Sequence, residues 1–157
     1  MRIAFITVGK TSDKRIAALT QEYADRISHY APLELLCVPD IKASKSMPAE
    51  VQKLREAEGI KKLLRDGDYI VLLDERGREP RSVELASWLE QRLSQSGHRL
   101  VFIVGGPYGF DQSIYAMARE QLSLSHLTFS HQMVRLFFVE QLYRAFTILR
   151  GEPYHHE

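Results

Sequence analysis

The residues best able to do chemistry crowd the end of the chain: Arg144 on a helical segment, then Tyr154 and His155 in the tail GEPYHH. His131 and Arg135 open the same helical segment. Just upstream, a short apolar run (LVFIV, Leu100–Val104) leads into the glycine turn GGPYGF, and a second run, LSLSHLTF, spans Leu122–Phe129. Glycines and backbone-rich segments at adjacent strand ends are where open α/β sheets bind small ligands. An Arg/His/Tyr-bearing helix and tail directly after them gives such a ligand something to react with. Leu122–Phe129 reads as a short strand whose leucines face the core, with Ser123, Ser125 and His126 pointing elsewhere. Its main-chain groups, and those of the loop after it, suit a purine-like ring.

Other motifs carry less. GKT at Gly9–Thr11 resembles the end of a phosphate loop, but that loop needs glycine where Ala4 stands inside a strand. GGPYG lacks the spacing of the dinucleotide fingerprint and its downstream acidic strand end. The adjacent His155 and His156 invite a metal, yet no cysteine or carboxylate/histidine pair stands at ligand spacing, so none is expected. An arginine on a surface helix is ordinarily solvated, which is the plain alternative for Arg135 and Arg144.

The elements that must position these residues alternate along the chain. Strand-like runs fall at Arg2–Val8, Leu33–Val38, Tyr69–Asp74, Leu100–Val104 and Leu122–Phe129. Helical periodicity falls at Asp13–Tyr30, from Pro48 to about Arg65, from Ser82 (as cap) toward Gly97, from the cap Asp111 to Gln121, and over Gln132–Arg150. The turn-rich DERGREP follows the third strand, and Asp40–Ser46 is a polar, basic loop without periodicity. Such alternation predicts an α/β fold, a mostly parallel sheet with helices on both faces, in a single domain over 1–157.

Lysine and arginine number 21 against 20 acids, a net charge of +1, so no global field announces nucleic acid and any RNA contact must come from a local patch. The lone cysteine, Cys37, sits in the apolar run LELLCVP and is expected to be a buried, inert thiol. One cysteine, no signal-like start and no run near the ~20 apolar residues that span a bilayer predict a cytoplasmic protein without membrane contact.

Taken together, GGPYG, LSLSHLTFSHQMVR, EQLYRAF and GEPYHH resemble the small bacterial SPOUT-type methyltransferases that modify N3 of a pseudouridine in 23S ribosomal RNA. VGK after the first strand and LD at the end of the third extend the similarity to the full length. The resemblance implies a C-terminal trefoil knot, a homodimer with its RNA-facing site at the subunit interface, and S-adenosylmethionine as methyl donor without a metal. Carried over by position, Leu73, Gly105, Leu124, Ser125, His126, Leu127, Thr128 and Phe129 would contact the cofactor. His131 and Arg135 would face the substrate, and Arg144, Tyr154 and His155 would be catalytic. Ser130 departs from the family's usual proline and can cap the last helix instead.

That chemistry suits these residue types. A sulfonium is already an activated donor, so the protein mainly aligns and excludes water. N3–H must lose a proton: His155 is a candidate base, Arg144 a candidate stabiliser of the ring anion, and Tyr154 can stack on or bond to the base. Near-zero net charge points to the assembled ribosome rather than free RNA, engaged through Lys10, Arg135, Arg144 and the Asp40–Ser46 loop. A nucleotide-binding Rossmann-like protein and a non-catalytic ribosome-associated protein are the competing readings.

Overall fold

Strands β1 (Ile3–Val8), β2 (Leu33–Val38), β3 (Tyr69–Arg78), β4 (Leu100–Val104) and β5 (Glu120–Leu122) form one parallel sheet ordered β2-β1-β4-β3-β5. Between them run helices α1 (Lys14–Ile27), α2 (Ala49–Leu63), α3 (Ser82–Leu93) and α4 (Gln112–Met117), with α5 (Met133–Leu149) last. This computed structural model describes residues 1–41, 46–95 and 97–156. The chain is thus α/β, as the alternation of its segments predicts.

A sheet covered on both sides needs apolar side chains on both faces of its central strands. Ile3, Phe5, Val71, Leu73, Leu100 and Phe102 pack toward α1, α3 and α5; Ala4, Ile6, Ile70, Leu72, Val101 and Ile103 pack toward α2 and α4. On the first face Phe138 of α5 lies 4.6 Å from Phe5 and 4.8 Å from Phe102, ring to ring. These contacts seat α5 across the sheet, where it also packs against α1 and α3. The orientation of α5 positions everything discussed below.

Four expectations need correction. The third strand continues past Asp74 to Arg78, because β5 pairs with it again after a register shift between Leu73 and Arg78. Gly77 permits that approach: a Cβ there would lie 2.6 Å from the Gln121 carbonyl carbon and 2.7 Å from the Leu122 amide nitrogen. The fifth strand is Glu120–Leu122 rather than Leu122–Phe129. The serines capture the backbone that a strand would need, since Ser123 Oγ donates to the Ser125 carbonyl (3.0 Å) and Ser125 Oγ accepts from the Leu127 amide (3.0 Å). Ser82 is the first helical residue of α3, not its cap; the Glu84 carboxylate accepts the Arg81 amide instead (2.9 Å). Cys37 is exposed, because β2 is an edge strand of the sheet. Asp111 does cap α4, accepting from the Ser113 amide at 3.0 Å. The loop expected at Asp40–Ser46 lies, for residues 42–45, outside the described residues.

Candidate functional site

Leu73, midway along β3, and Val104, the last residue of β4, stand side by side in register. Beyond them the GGPYG turn and the 124–131 run leave a cavity of about 750 Å³, within the size range of small-molecule sites. Leu73, Gly105, Leu124, Ser125, Leu127, Thr128, Phe129 and His131 all line it. Among the described residues, the main-chain amides of His126, Thr128 and Phe129 make no hydrogen bond to the protein. Leu127 is 75% exposed at the rim. Unpaired donors beside an apolar lip suit a ligand with a flat heteroaromatic ring. His126 turns its side chain outward, 79% exposed, 3.1 Å from Glu79, so only its main chain can serve the cavity.

The turn is held from behind. A Cβ on Gly106 would sit 2.4 Å from Glu56 Oε2, so glycine alone fits over this buried carboxyl. Glu56 has Gln52 as its neighbour at 3.4 Å, and burial pushes its pKa up.

The opposite wall carries a network that the sequence reading did not assemble. The Tyr115 hydroxyl donates to the Asp74 carboxylate, and Arg76 Nη2 donates to the Tyr115 oxygen at 2.8 Å. Arg76 Nε also lies 3.5 Å from Asp74. Burial works to raise the Asp74 pKa, but the Tyr115 hydroxyl and the Arg76 amide and guanidinium outweigh it and hold the carboxylate below its usual value. Burial and the bond to Asp74 push Tyr115 up. The network is a fixed, ionised edge to the cavity. Only the strand-end Asp74 stood out in sequence; Tyr115 reaches it through the tertiary fold.

Arg135 is placed otherwise than expected. It is 2% exposed and its guanidinium is consumed by the protein itself. Nη1 donates to the Gly9 carbonyl (2.8 Å) and Thr11 Oγ1 (2.9 Å), Nη2 to the Val8 carbonyl (2.8 Å), and Nε to the His131 carbonyl (3.0 Å). Burial lowers its pKa. Arg135 therefore pins the start of α5 to the β1–α1 loop, a positioning role that leaves no face for a nucleobase. Gln132 adds to the clamp, accepting from the Ser12 amide (2.8 Å) and donating to the Lys10 carbonyl (3.3 Å). Ser130 Oγ accepts the Met133 amide at 3.1 Å, the capping bond its type predicts.

Arg144, Tyr154 and His155 do meet, but away from the cavity. Arg144 Nη1 donates to His155 Nδ1 (3.1 Å) and Nη2 to Glu140 Oε1 (2.7 Å). The Tyr154 hydroxyl donates to the same Glu140 oxygen (2.9 Å) and lies 3.2 Å from the Tyr23 hydroxyl of α1. The Arg144 guanidinium sits 4.8 Å above the Tyr154 ring. Burial, Tyr23 and Glu140 together push the Tyr154 pKa far up, so it stays a phenol. A second tie, Tyr30 to Glu152 at 2.7 Å, keeps the tail on α1. At the helical rise, Arg144 lies about 15 Å along α5 from Val134, which lines the cavity. Glu140 and Tyr23 organise this cluster; Glu140 opens the EQLYRAF motif but the sequence assigns it no role, and Tyr23 counts there only toward helical periodicity.

The chain is similar to known proteins. Residues 1–155 match the family described as "Predicted SPOUT methyltransferase". The chain belongs to the SPOUT methyltransferase family. A relative from Bacteroides fragilis (strain ATCC 25285), named Ribosomal RNA large subunit methyltransferase H, is 50% identical over 157 residues, covering 100% of both chains. A Christiangramia forsetii relative of the same name is 46% identical over 156 residues, covering 99% of both. Among solved structures, a probable methyltransferase from Bordetella pertussis Tohama I aligns with TM-score 0.56 at 14% identity, covering 92% of this chain and 93% of that one. A probable methylase from Haemophilus influenzae Rd KW20 gives 0.54 at 11%, covering 99% and 70%. The likeness to these two structures is one of fold. This chain is accordingly a methyltransferase by family.

Among the described residues, no group of three or more His, Cys, Asp or Glu is arranged to hold a metal ion, and no helix is long and apolar enough to cross a membrane.

Proposed function

We propose that this SPOUT methyltransferase moves the methyl group of S-adenosylmethionine to N3 of a pseudouridine in 23S ribosomal RNA, in the cytoplasm, on the assembled ribosome. The observation that carries the reading is identity of about 50% over the whole length to relatives named for large-subunit ribosomal RNA methylation. The cavity supports it: unpaired amides of the 124–131 run, the exposed Leu127 and the close Gly105 backbone suit an adenosine. When bound, that donor supplies an activated methyl on a sulfonium.

The chain's own residues supply the rest. The cavity's main chain orients the adenosine and its apolar lip excludes water. Arg144 can only donate, so His155 Nδ1 accepts, and a neutral imidazole in this pairing carries its proton on Nε2. Arg144, held over the Tyr154 ring, offers a guanidinium to a nucleobase carbonyl whose charge grows as N3 is deprotonated. His155 takes up a proton at Nδ1 only by parting from Arg144. Tyr154, held as a phenol, supplies a flat ring and fixes Arg144 over it.

Because cavity and tail cluster stand at opposite ends of α5, one nucleobase does not touch both within one protomer. We infer a homodimer in which each cavity works with the tail of the other copy. The trefoil crossing that the resemblance implies belongs to the same reading, supported by the tight passage of β5 over Gly77. The test offers labelled S-adenosylmethionine to large ribosomal subunits, 70S ribosomes and naked 23S fragments from cells lacking the modification, then identifies the methylated nucleoside. Label in 3-methylpseudouridine, strongest on 70S particles, is expected. Label elsewhere, or equal transfer to naked fragments, would overturn the substrate assignment.

A further inference from the structure

A second cleft opens beside the cavity. It has a volume of about 370 Å³ and is lined by Arg76, Arg78 and Arg119 around Gly77, with Glu120 and Gln121. Two regularities bring the three arginines together. Arg76 and Arg78 are two apart on β3 and so project from the same face. Gly77 between them lets β5 press against the strand backbone, which carries Arg119 to the same place; its amide is fixed on the Ile70 carbonyl at 2.8 Å.

The charge in this cleft is not neutralised. Glu120 turns inward, its carboxylate taken by Tyr69 (2.6 Å), Trp88 (3.0 Å) and Arg92 (2.8 Å). Glu79 faces His126 at 3.1 Å. Among the described residues, no carboxylate comes within ion-pair distance of Arg78 or Arg119. Arg76 does pair with Asp74, and it lines both the cleft and the large cavity, so its side chain is a wall the two share. Exposed guanidiniums without acids, clustered on a rigid β-edge, are receptors for phosphate oxygens.

We propose that the Arg78/Arg119 cleft binds phosphodiester groups of the RNA strand that delivers its nucleobase past Arg76 to the cavity. This inference rests on the RNA-methylating reading above. It also places the phosphate contact on residues different from Arg135, which is buried, and from Arg144, which is paired to Glu140.

The experiment compares wild type with Arg78→Gln/Arg119→Gln, using large ribosomal subunits or 70S ribosomes as methyl acceptor at several salt concentrations. S-adenosylmethionine affinity and Tm are measured in parallel. The KM for ribosomes should rise on the order of tenfold, with kcat and cofactor affinity held within about twofold. The slope of log affinity against log salt should become shallower by about one to two, as fewer counterions are released. Arg78→Lys/Arg119→Lys should restore most of that slope, because it counts charges. An unchanged KM and salt slope in an active enzyme would overturn the proposal. So would a loss of cofactor affinity matching the rise in KM, since the arginines would then be supporting the pocket. If wild type itself transfers nothing to ribosomes, the underlying reading fails and the cleft's role fails with it.

Discussion

Helix α5 carries two arginines with a histidine nearby in sequence or space, and its two ends use them in opposite ways. At the N-terminal end, Arg135 is buried and spent on main-chain carbonyls, while the neighbouring 124–131 run keeps unpaired amides and a bare Leu127. At the other end, Arg144, Glu140, Tyr154, His155 and Tyr23 are joined by hydrogen bonds to one another. On the reading proposed above, one end receives the ligand. The other is a prearranged set of donors whose geometry is fixed before any substrate arrives, the condition under which electrostatic stabilisation costs no reorganisation. Residue type does not tell these roles apart; the neighbouring element does. For Arg135 that is the β1–α1 loop with its free carbonyls, and for Arg144 it is the tail folded back onto α1.

This contrast breaks most visibly through the tail. Arg144→Gln should lower kcat on the order of a thousandfold while leaving S-adenosylmethionine affinity within about twofold. Equal losses in both would place Arg144 at the cofactor and erase the division between the two ends. Mixed dimers sharpen the point. A Gly105→Val protomer, whose new side chain crowds the Gly109 carbonyl and Phe110 ring, should regain activity when paired with an Arg144→Gln protomer, although neither homodimer works alone.

A smaller effect is expected at the opposite end. Arg135→Met strands the Val8, Gly9 and His131 carbonyls and should cost about 2–4 kcal/mol in urea unfolding. Full stability with a raised KM for ribosomes would instead make Arg135 a substrate contact. Leu127→Ala should leave the free protein within about 0.5 kcal/mol of wild type, because the side chain is exposed. The same change should weaken cofactor binding by about 1–1.5 kcal/mol, read by calorimetry, as an apolar lip covered by the ligand is removed. A loss of stability without a loss of affinity would show that the lip serves folding.

The smallest change concerns Glu56 beneath the glycine turn. Burial raises its pKa above the ordinary 4.5, so the folded protein holds this proton more tightly than the unfolded chain does. Its contribution is therefore most favourable below pH 4.5 and declines as pH rises through the folded value. Glu56→Gln removes that slope and should gain on wild type by about 1 kcal/mol at neutral pH, with the gap closing in acid. Parallel pH–stability curves for the two proteins would contradict this.

The alternation of short apolar runs with helical periodicity was enough to predict the sheet and the place of most elements, because strand and helix periods are local properties. Asp111 and Ser130 were legible as caps for the same reason. Leu122–Phe129 misled because alternation of leucine with serine matches a strand's period, while the serine hydroxyls bind the local backbone and bend it away. The stretch expected to meet the cofactor was located from its motifs, and Leu73, Gly105, Leu124, Ser125 and residues 127–129 do line one cavity. Asp74–Tyr115–Arg76 and the Arg78/Arg119 cleft were not legible, since each joins segments distant in the chain.

By itself, then, the sequence determined which residues could react, which segments are regular and which family the chain resembles. The tertiary structure decided what each arginine is for. Burial against three carbonyl oxygens makes Arg135 a clamp, a folded-back tail holds Arg144 between Glu140 and His155, and a glycine under a crossing strand leaves Arg78 and Arg119 exposed together. The physical reason is that a charge takes its function from the dipoles and solvent around it, and those are supplied by distant parts of the chain.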